Sequence, residues 1–182
     1  MCIRDSTRSL EEQGWLIKDK KITMVGAGGA STAIMVQLAL DGVKEIIVYN
    51  RTMRTEFQEI INNTIIETGC TITLKSLSDL ESLKKDMHSS YLFINTTGVG
   101  MEPMLERSVV PDASYFKPDL KVADIIYQPA VTKMLRLAKE AGCATMNGEL
   151  MLLYQGVESF KIWTGQEMPI NEVKKVLGIE VK

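Results

Sequence analysis

Short apolar runs alternate with stretches of helical spacing along this chain. Strands are expected at 21–25, 45–49, 71–74, 91–94, 120–127 and 144–146, where runs such as Ile46, Ile47 and Val48 are continuous rather than alternating. Continuity of that kind belongs to strands covered on both faces, as in a parallel sheet between helices. Between the strands, apolar positions fall three and four apart: Ile34 and Leu38; Phe57, Ile60, Ile61 and Ile65; Val131, Met134, Leu135 and Ala138. Gly42 and Gly142 end two of these helices, since glycine accepts the left-handed turn after a last helical residue. A short helix with a charged outer face is expected at 77–87, and two more follow Gly148 and Pro169. Residues 102–118, with prolines at 103, 111 and 118, read as a loop. The alternation predicts an α/β fold: a Rossmann-like, doubly wound, six-stranded parallel sheet with helices on both faces. Residues 1–20 read as an N-terminal remnant and linking helix ending at Gly14, and residues 21–182 as one dinucleotide-binding domain.

The first strand stops at Gly26, Ala27, Gly28, Gly29, Ala30 and Ser31. Glycines here permit a tight turn and let the backbone approach a pyrophosphate, while the next helix points its free N–H groups at the negative charge. Ser31 departs from the fingerprint, which has glycine or alanine there, and the motif alone would also suit a plain strand-to-helix turn. The second strand ends in Asn50, Arg51 and Thr52, at the distance from Gly26 where such folds read the adenosine ribose. Arg51, with Arg54 one turn further on, suits a 2′-phosphate, whereas an acidic residue would take a free 2′-hydroxyl; NADP is favoured over NAD. The fourth strand runs into Asn95, Thr96, Thr97 and Gly98, small polar groups at a strand's carboxyl end, where ligands of open α/β sheets gather.

Composition narrows the partners. The net charge is −2 with no block of like charges, which argues against nucleic acid or an anionic membrane, and no apolar run approaches a membrane span. Three scattered cysteines form no metal or disulfide pattern, so no metal is expected and a reducing cytoplasm is the default compartment. No secretory signal is visible at the start of the chain. His88, the only histidine, stands near a helix end among polar residues and reads as a surface or capping group.

Five segments occur in one order: Gly26 to Ser31; Asn50 to Thr52; Asn95 to Met101; Asp124 to Pro129 with Thr132 and Leu135; and Asn147 to Gln155, followed by Ser159, Phe160, Trp163 and Gly165. Together they resemble the cofactor domain of the shikimate dehydrogenase family, which includes shikimate/quinate dehydrogenases. The resemblance implies NADP-linked interconversion of 3-dehydroshikimate and shikimate, or of the quinate pair, in aromatic amino-acid biosynthesis or quinate use. It implies that Gly26, Ala27, Gly28, Gly29 and Ala30 hold the pyrophosphate and that Asn50, Arg51, Thr52 and Arg54 hold the adenosine end. Thr96, Thr97, Ile125, Gly148 and Met151 would lie along the nicotinamide side, and Tyr127 and Gln155 would contact substrate. The family's catalytic Lys and Asp belong to a separate N-terminal domain that has no counterpart in this sequence, and Asp5 does not align with that Asp. No catalytic residue is therefore assigned, and the chain by itself is expected to be inactive. Arg54 stands about one position earlier than the second basic residue of typical NADP-using members, which keeps NAD open. An apolar wall around Met101, Met151 and Tyr154 is expected where the other domain docks. A stand-alone NAD(P)-binding module without chemistry is the alternative, another Rossmann dehydrogenase is a weaker one, and a homodimer stays open.

Overall fold

The computed structural model describes residues 4–179. Six strands, β1 (Lys21–Val25), β2 (Glu45–Asn50), β3 (Thr71–Ser76), β4 (Leu92–Asn95), β5 (Lys121–Asp124) and β6 (Ala144–Met146), form one sheet in the order β3-β2-β1-β4-β5-β6. Every pairing is parallel, as the continuous apolar runs require. Seven helices accompany them: α1 (Arg4–Glu12), α2 (Gly29–Leu40), α3 (Thr55–Thr68), α4 (Leu80–Ser89), α5 (Lys133–Glu140), α6 (Glu149–Thr164) and α7 (Ile170–Leu177). The architecture is the expected Rossmann-like doubly wound sheet.

The period of two along each strand divides the core. Ile22, Met24, Ile46, Val48, Leu92 and Ile94 face one side, packed with Leu10 of α1, Met35 of α2, Ile61 of α3 and Met151 of α6. Val25, Ile47, Tyr49 and Phe93 face the other, against Leu83 and Met87 of α4 and Leu135 of α5. Most of these side chains are almost wholly buried, and each such Leu, Ile or Phe contributes about 1.5–3 kcal/mol relative to exposure.

Several boundaries differ from the sequence expectation for local reasons. Helix α4 starts at Leu80 because the Asp79 carboxylate caps it, accepting from the Ser82 N–H at 3.0 Å. Strand β5 ends at Asp124, whose carboxylate takes the Ile126 N–H at 3.2 Å in place of a ladder partner. The 102–118 loop contains a 3₁₀ turn at Ala113–Tyr115, and its Val110, Tyr115 and Phe116 complete the second core. The extended loop therefore also belongs to the packing. His88 lies on the surface near the end of α4, as expected, its Nε2 3.1 Å from the Ser114 carbonyl of the 102–118 loop. Cys70 and Cys143 are buried free thiols, and Cys2 lies outside the described residues.

Candidate active site

The strand order reverses direction between β1 and β4, and the crevice at their carboxyl ends is where this fold class binds ligands. Gly26 opens it. Its φ of +122° is a backbone region closed to most side chains, and a Cβ there would lie 2.5 Å from Thr96 Oγ1. The β1 turn and the β4 turn thus touch through a position only glycine can fill. Ser31, the residue that departed from the fingerprint, is buried and donates to the Gly26 carbonyl at 2.6 Å, fastening the turn to the first turn of α2.

Helix α2 begins without a capping side chain, and its first turn carries no acidic residue. Gly28 and Gly29 are exposed, with nothing within 4 Å of where their Cβ atoms would stand. The uncapped N–H groups and the positive end of the helix dipole therefore face an open approach suited to a phosphate. Ala27, Gly28, Gly29 and Arg54 line one cleft of about 630 Å³. Asn50 turns its amide back onto the Thr52 carbonyl at 2.6 Å, bracing the turn from which Arg51 and Arg54 project into solvent. Arg54 is brought to the glycine cleft; Arg51 is not among its lining residues.

A second cavity of about 700 Å³ lies beyond the ends of β4 and β5, where Thr96, Thr97, Ile125 and Tyr127 meet Met101 and Leu105. The hydroxyl protons of both threonines are committed within the protein. Thr96 donates to the Val25 carbonyl at 2.6 Å and Thr97 to Asn95 Oδ1 at 2.7 Å. Toward the cavity these residues can offer methyl groups, backbone and lone pairs rather than hydroxyl donors. Tyr127 is half exposed and also lines an apolar groove of about 370 Å³ beside α6 and α7.

Ile125, Gly148 and Met151 come together in a narrow crevice roofed by Ser9 and Leu10 of α1. A Cβ on Gly148 would fall 2.0 Å from the Ile125 carbonyl oxygen, and its N–H donates to the Ile126 carbonyl at 3.0 Å. Gly148 is required for the start of α6 to pack against the loop after β5, whatever else it contacts. Gln155 is half-buried on α6 and lines none of these four spaces.

The expected apolar wall is corrected. Met151 and Tyr154 are 7% and 5% exposed, while Met101 is 44% exposed. Helix α1 covers the first two: Leu10 packs over Met151, and the Tyr154 hydroxyl donates to the Glu12 carboxylate. The Lys174 ammonium of α7 reaches the same carboxylate at 2.5 Å, and the Arg8 guanidinium lies 4.4 Å from the Tyr154 ring centroid. Burial and the Glu12 charge push the Tyr154 phenol up to about 12. Among the exposed apolar residues, Met101, Leu105 and Tyr127 lie at the cavity mouth and Ile162, Trp163, Val176 and Leu177 on α6 and α7, while Leu16, Leu40, Met53 and Ile66 are scattered over the rest of the surface.

Asp124 carries more than its place in a motif suggested. It is 1% exposed and accepts from Asn95 Nδ2 at 3.0 Å, the Ile126 N–H at 3.2 Å and Thr132 Oγ1 at 2.8 Å. Burial raises its carboxyl to about 6, against the lowering pull of those bonds from Thr132, Ile126 and Asn95. The sequence signal is an Asp set inside an apolar run, eight residues before a Thr that caps the next helix. A second buried carboxylate, Asp86, lies on the opposite face of the sheet from α2. Burial would raise it, but hydrogen bonds from Lys75, Tyr49 and Lys21 outweigh that and hold it below the usual range. That cluster ties α4 to three strands, away from both cavities. Among the described residues, no group of His, Cys, Asp and Glu is placed to hold a metal.

This chain is similar to known proteins in sequence and in fold. The family model for shikimate/quinate 5-dehydrogenase matches residues 9–135, and that for the shikimate 5′-dehydrogenase C-terminal domain matches residues 148–177. Shikimate dehydrogenase (NADP(+)) of Listeria innocua is 43% identical over 174 residues, covering 93% of this chain and 59% of the relative. That of Streptococcus equi is 44% identical over 173 residues with the same coverage. The crystal structure of shikimate 5-dehydrogenase from Listeria monocytogenes, in complex with shikimate and NAD, superposes with a TM-score of 0.90 at 42% identity, covering 97% of this chain and 62% of that one. A shikimate dehydrogenase in complex with NADP+ gives 0.82 at 32% identity, covering 97% and 61%. The chain thus spans about 60% of the length of the relatives it matches. With a family model matching most of its length, this chain belongs to the shikimate/quinate 5-dehydrogenase family.

Proposed function

We propose that this chain is the cofactor-binding half of an NADP-dependent dehydrogenase that interconverts 3-dehydroshikimate and shikimate, or the corresponding quinate pair. The observation that carries this is the open, uncapped start of α2 sharing one cleft with Arg54. The backbone from Gly26 to Ala30 receives a pyrophosphate, and Asn50, Arg51, Thr52 and Arg54 take the adenosine end and its 2′-phosphate. Bound NADPH would supply the hydride to the carbonyl carbon, and bound NADP+ would take it up in the reverse direction. Thr96, Thr97, Ile125, Gly148 and Met151 flank the nicotinamide side, presenting an apolar and backbone-lined wall that excludes water. Tyr127 and Gln155 offer a hydroxyl and an amide to substrate oxygens. No residue of this chain is assigned the proton transfer, which falls to a partner domain; a small-molecule substrate rather than nucleic acid or membrane, and a cytoplasmic setting, go with this reading. The names of relatives favour NADP, and the relative crystallised with NAD keeps that cofactor as the alternative.

Steady-state assay of shikimate oxidation tests the division of labour. The chain is expected to bind NADP+ without turnover, and to gain turnover when the N-terminal portion of a full-length relative is supplied in trans. Turnover by the chain unaided contradicts the proposal. Binding that no complement converts to turnover favours an NAD(P)-binding module without chemistry.

A further inference from the structure

The buried carboxylate of Asp124 accepts hydrogen bonds from three residues in two segments, Asn95 in one and Ile126 and Thr132 in the other, and both segments form walls of the 700 Å³ cavity. Through Asn95 it reaches the turn after β4. That asparagine in turn accepts from the Thr97 N–H at 3.1 Å and the Thr97 hydroxyl, donates to the Val99 carbonyl at 3.3 Å, and so shapes the turn carrying Thr96 and Thr97. Through the Ile126 N–H it bends the chain out of β5 and sets the loop of Ile125 and Tyr127. Through Thr132, whose Oγ1 also caps α5 by accepting from the Leu135 N–H at 3.3 Å, it anchors the far end of that loop. We infer that Asp124 is a positioning residue: its carboxylate joins the 95–101 turn to the 125–132 loop so that Thr96, Thr97, Ile125 and Tyr127 face a single volume.

This inference rests on the proposed cofactor site only for what occupies that volume. Asp124 does not line the 700 Å³ cavity; it acts on that volume through Asn95, Ile126 and Thr132. Removing it leaves two buried donors and a hydroxyl without their acceptor, and the two segments lose the atom they share. Asp124→Asn keeps an acceptor for Asn95 and Ile126 but forces Thr132 to reorient, so its effect is intermediate.

Two measurements on the full 182-residue chain test it. In ligand-free hydrogen exchange, Asp124→Ala is expected to speed exchange of the Thr97, Val99 and Ile126 amides by about tenfold or more, with Asp124→Asn between it and wild type and the amides of β1 and β2 unchanged. Unchanged exchange at those three amides overturns the inference, as does acceleration spread evenly over the sheet. In calorimetry, NADP+ is compared with 2′-phospho-ADP-ribose, which lacks the nicotinamide. Asp124→Asn is expected to bind the fragment as wild type does while its advantage for NADP+ over the fragment falls several-fold, toward the about tenfold loss of a hydrogen-bonded contact. A wild-type preference near one, or one that the variant keeps in full, overturns it. Wild type that binds neither compound overturns the cofactor reading itself, and hydrogen exchange then decides alone whether Asp124 joins the two walls.

Discussion

Two residues show how position turns ordinary chemistry into constraint. Gly148 meets a carbonyl oxygen 2.0 Å from where a Cβ would be, and Gly26 meets the Thr96 hydroxyl, so both turns are backbone fitted closely to its neighbours. Asp124 is a different case, because its cost depends on pH. Folded, its carboxyl keeps a proton up to about pH 6, whereas the ordinary value is 3.8. Between those values the native state binds more protons than the unfolded one, so this residue's contribution to stability falls as pH rises through the window. The stability of wild type relative to Asp124→Asn is therefore expected to decline by at most roughly 3 kcal/mol between about pH 4 and about pH 7. Urea unfolding of both proteins across that range checks it, and a difference that grows with pH contradicts the assignment.

Among the elements, α1 is the least expected. Its sequence reads as the end of something preceding the domain, yet Leu10 enters the first core and Glu12 anchors both Tyr154 of α6 and Lys174 of α7. The Glu12 and Lys174 side chains are only 15% and 7% exposed, so their pairing is largely shielded from solvent screening. Removing one partner of such a pair strands the other charge in a poorly hydrated site. Glu12→Ala is expected to destabilise the chain by about 3–5 kcal/mol, read as a lowered urea midpoint, with Glu12→Gln milder because the amide still accepts. A midpoint within error of wild type would mean that α1 is not part of the cooperative unit.

For the whole molecule, the sheet was legible because two-sided burial writes continuous apolar strands, and the glycine turns because backbone conformation and close approach select residue type. The parallel, doubly wound class followed from the alternation of strands and helices, but the strand order β3-β2-β1-β4-β5-β6 was written in no local pattern. Less legible was whatever depends on partners distant in sequence. The burial of Met151 and Tyr154 under α1 joins residues that no local pattern connects, and Asp124 reads from sequence as an interior residue of a strand at 120–127, whereas Asn95 and Thr132 beside it make it the strand's end. Ser31 looked like a departure from a fingerprint and proves to hold the Gly26 carbonyl. The outward apolar faces of α6 and α7 could not be told from core faces by spacing, since Trp163, at 82% exposure, follows the same helix as buried Val157.

If the start of α2 is the anion site for NADP, titration calorimetry of NADP+ into wild type, Gly28→Asp and Arg51→Ala will separate the three proteins. Aspartate is a favoured helix cap and Gly28 has open space around it, so Gly28→Asp should fold at least as well as wild type while placing a carboxylate where the pyrophosphate belongs. The expected result is one-to-one binding to wild type, none to Gly28→Asp, and about tenfold weaker NADP+ binding to Arg51→Ala with NAD+ affinity unchanged. Undiminished NADP+ binding by a folded Gly28→Asp, or no saturable binding by wild type, would contradict it.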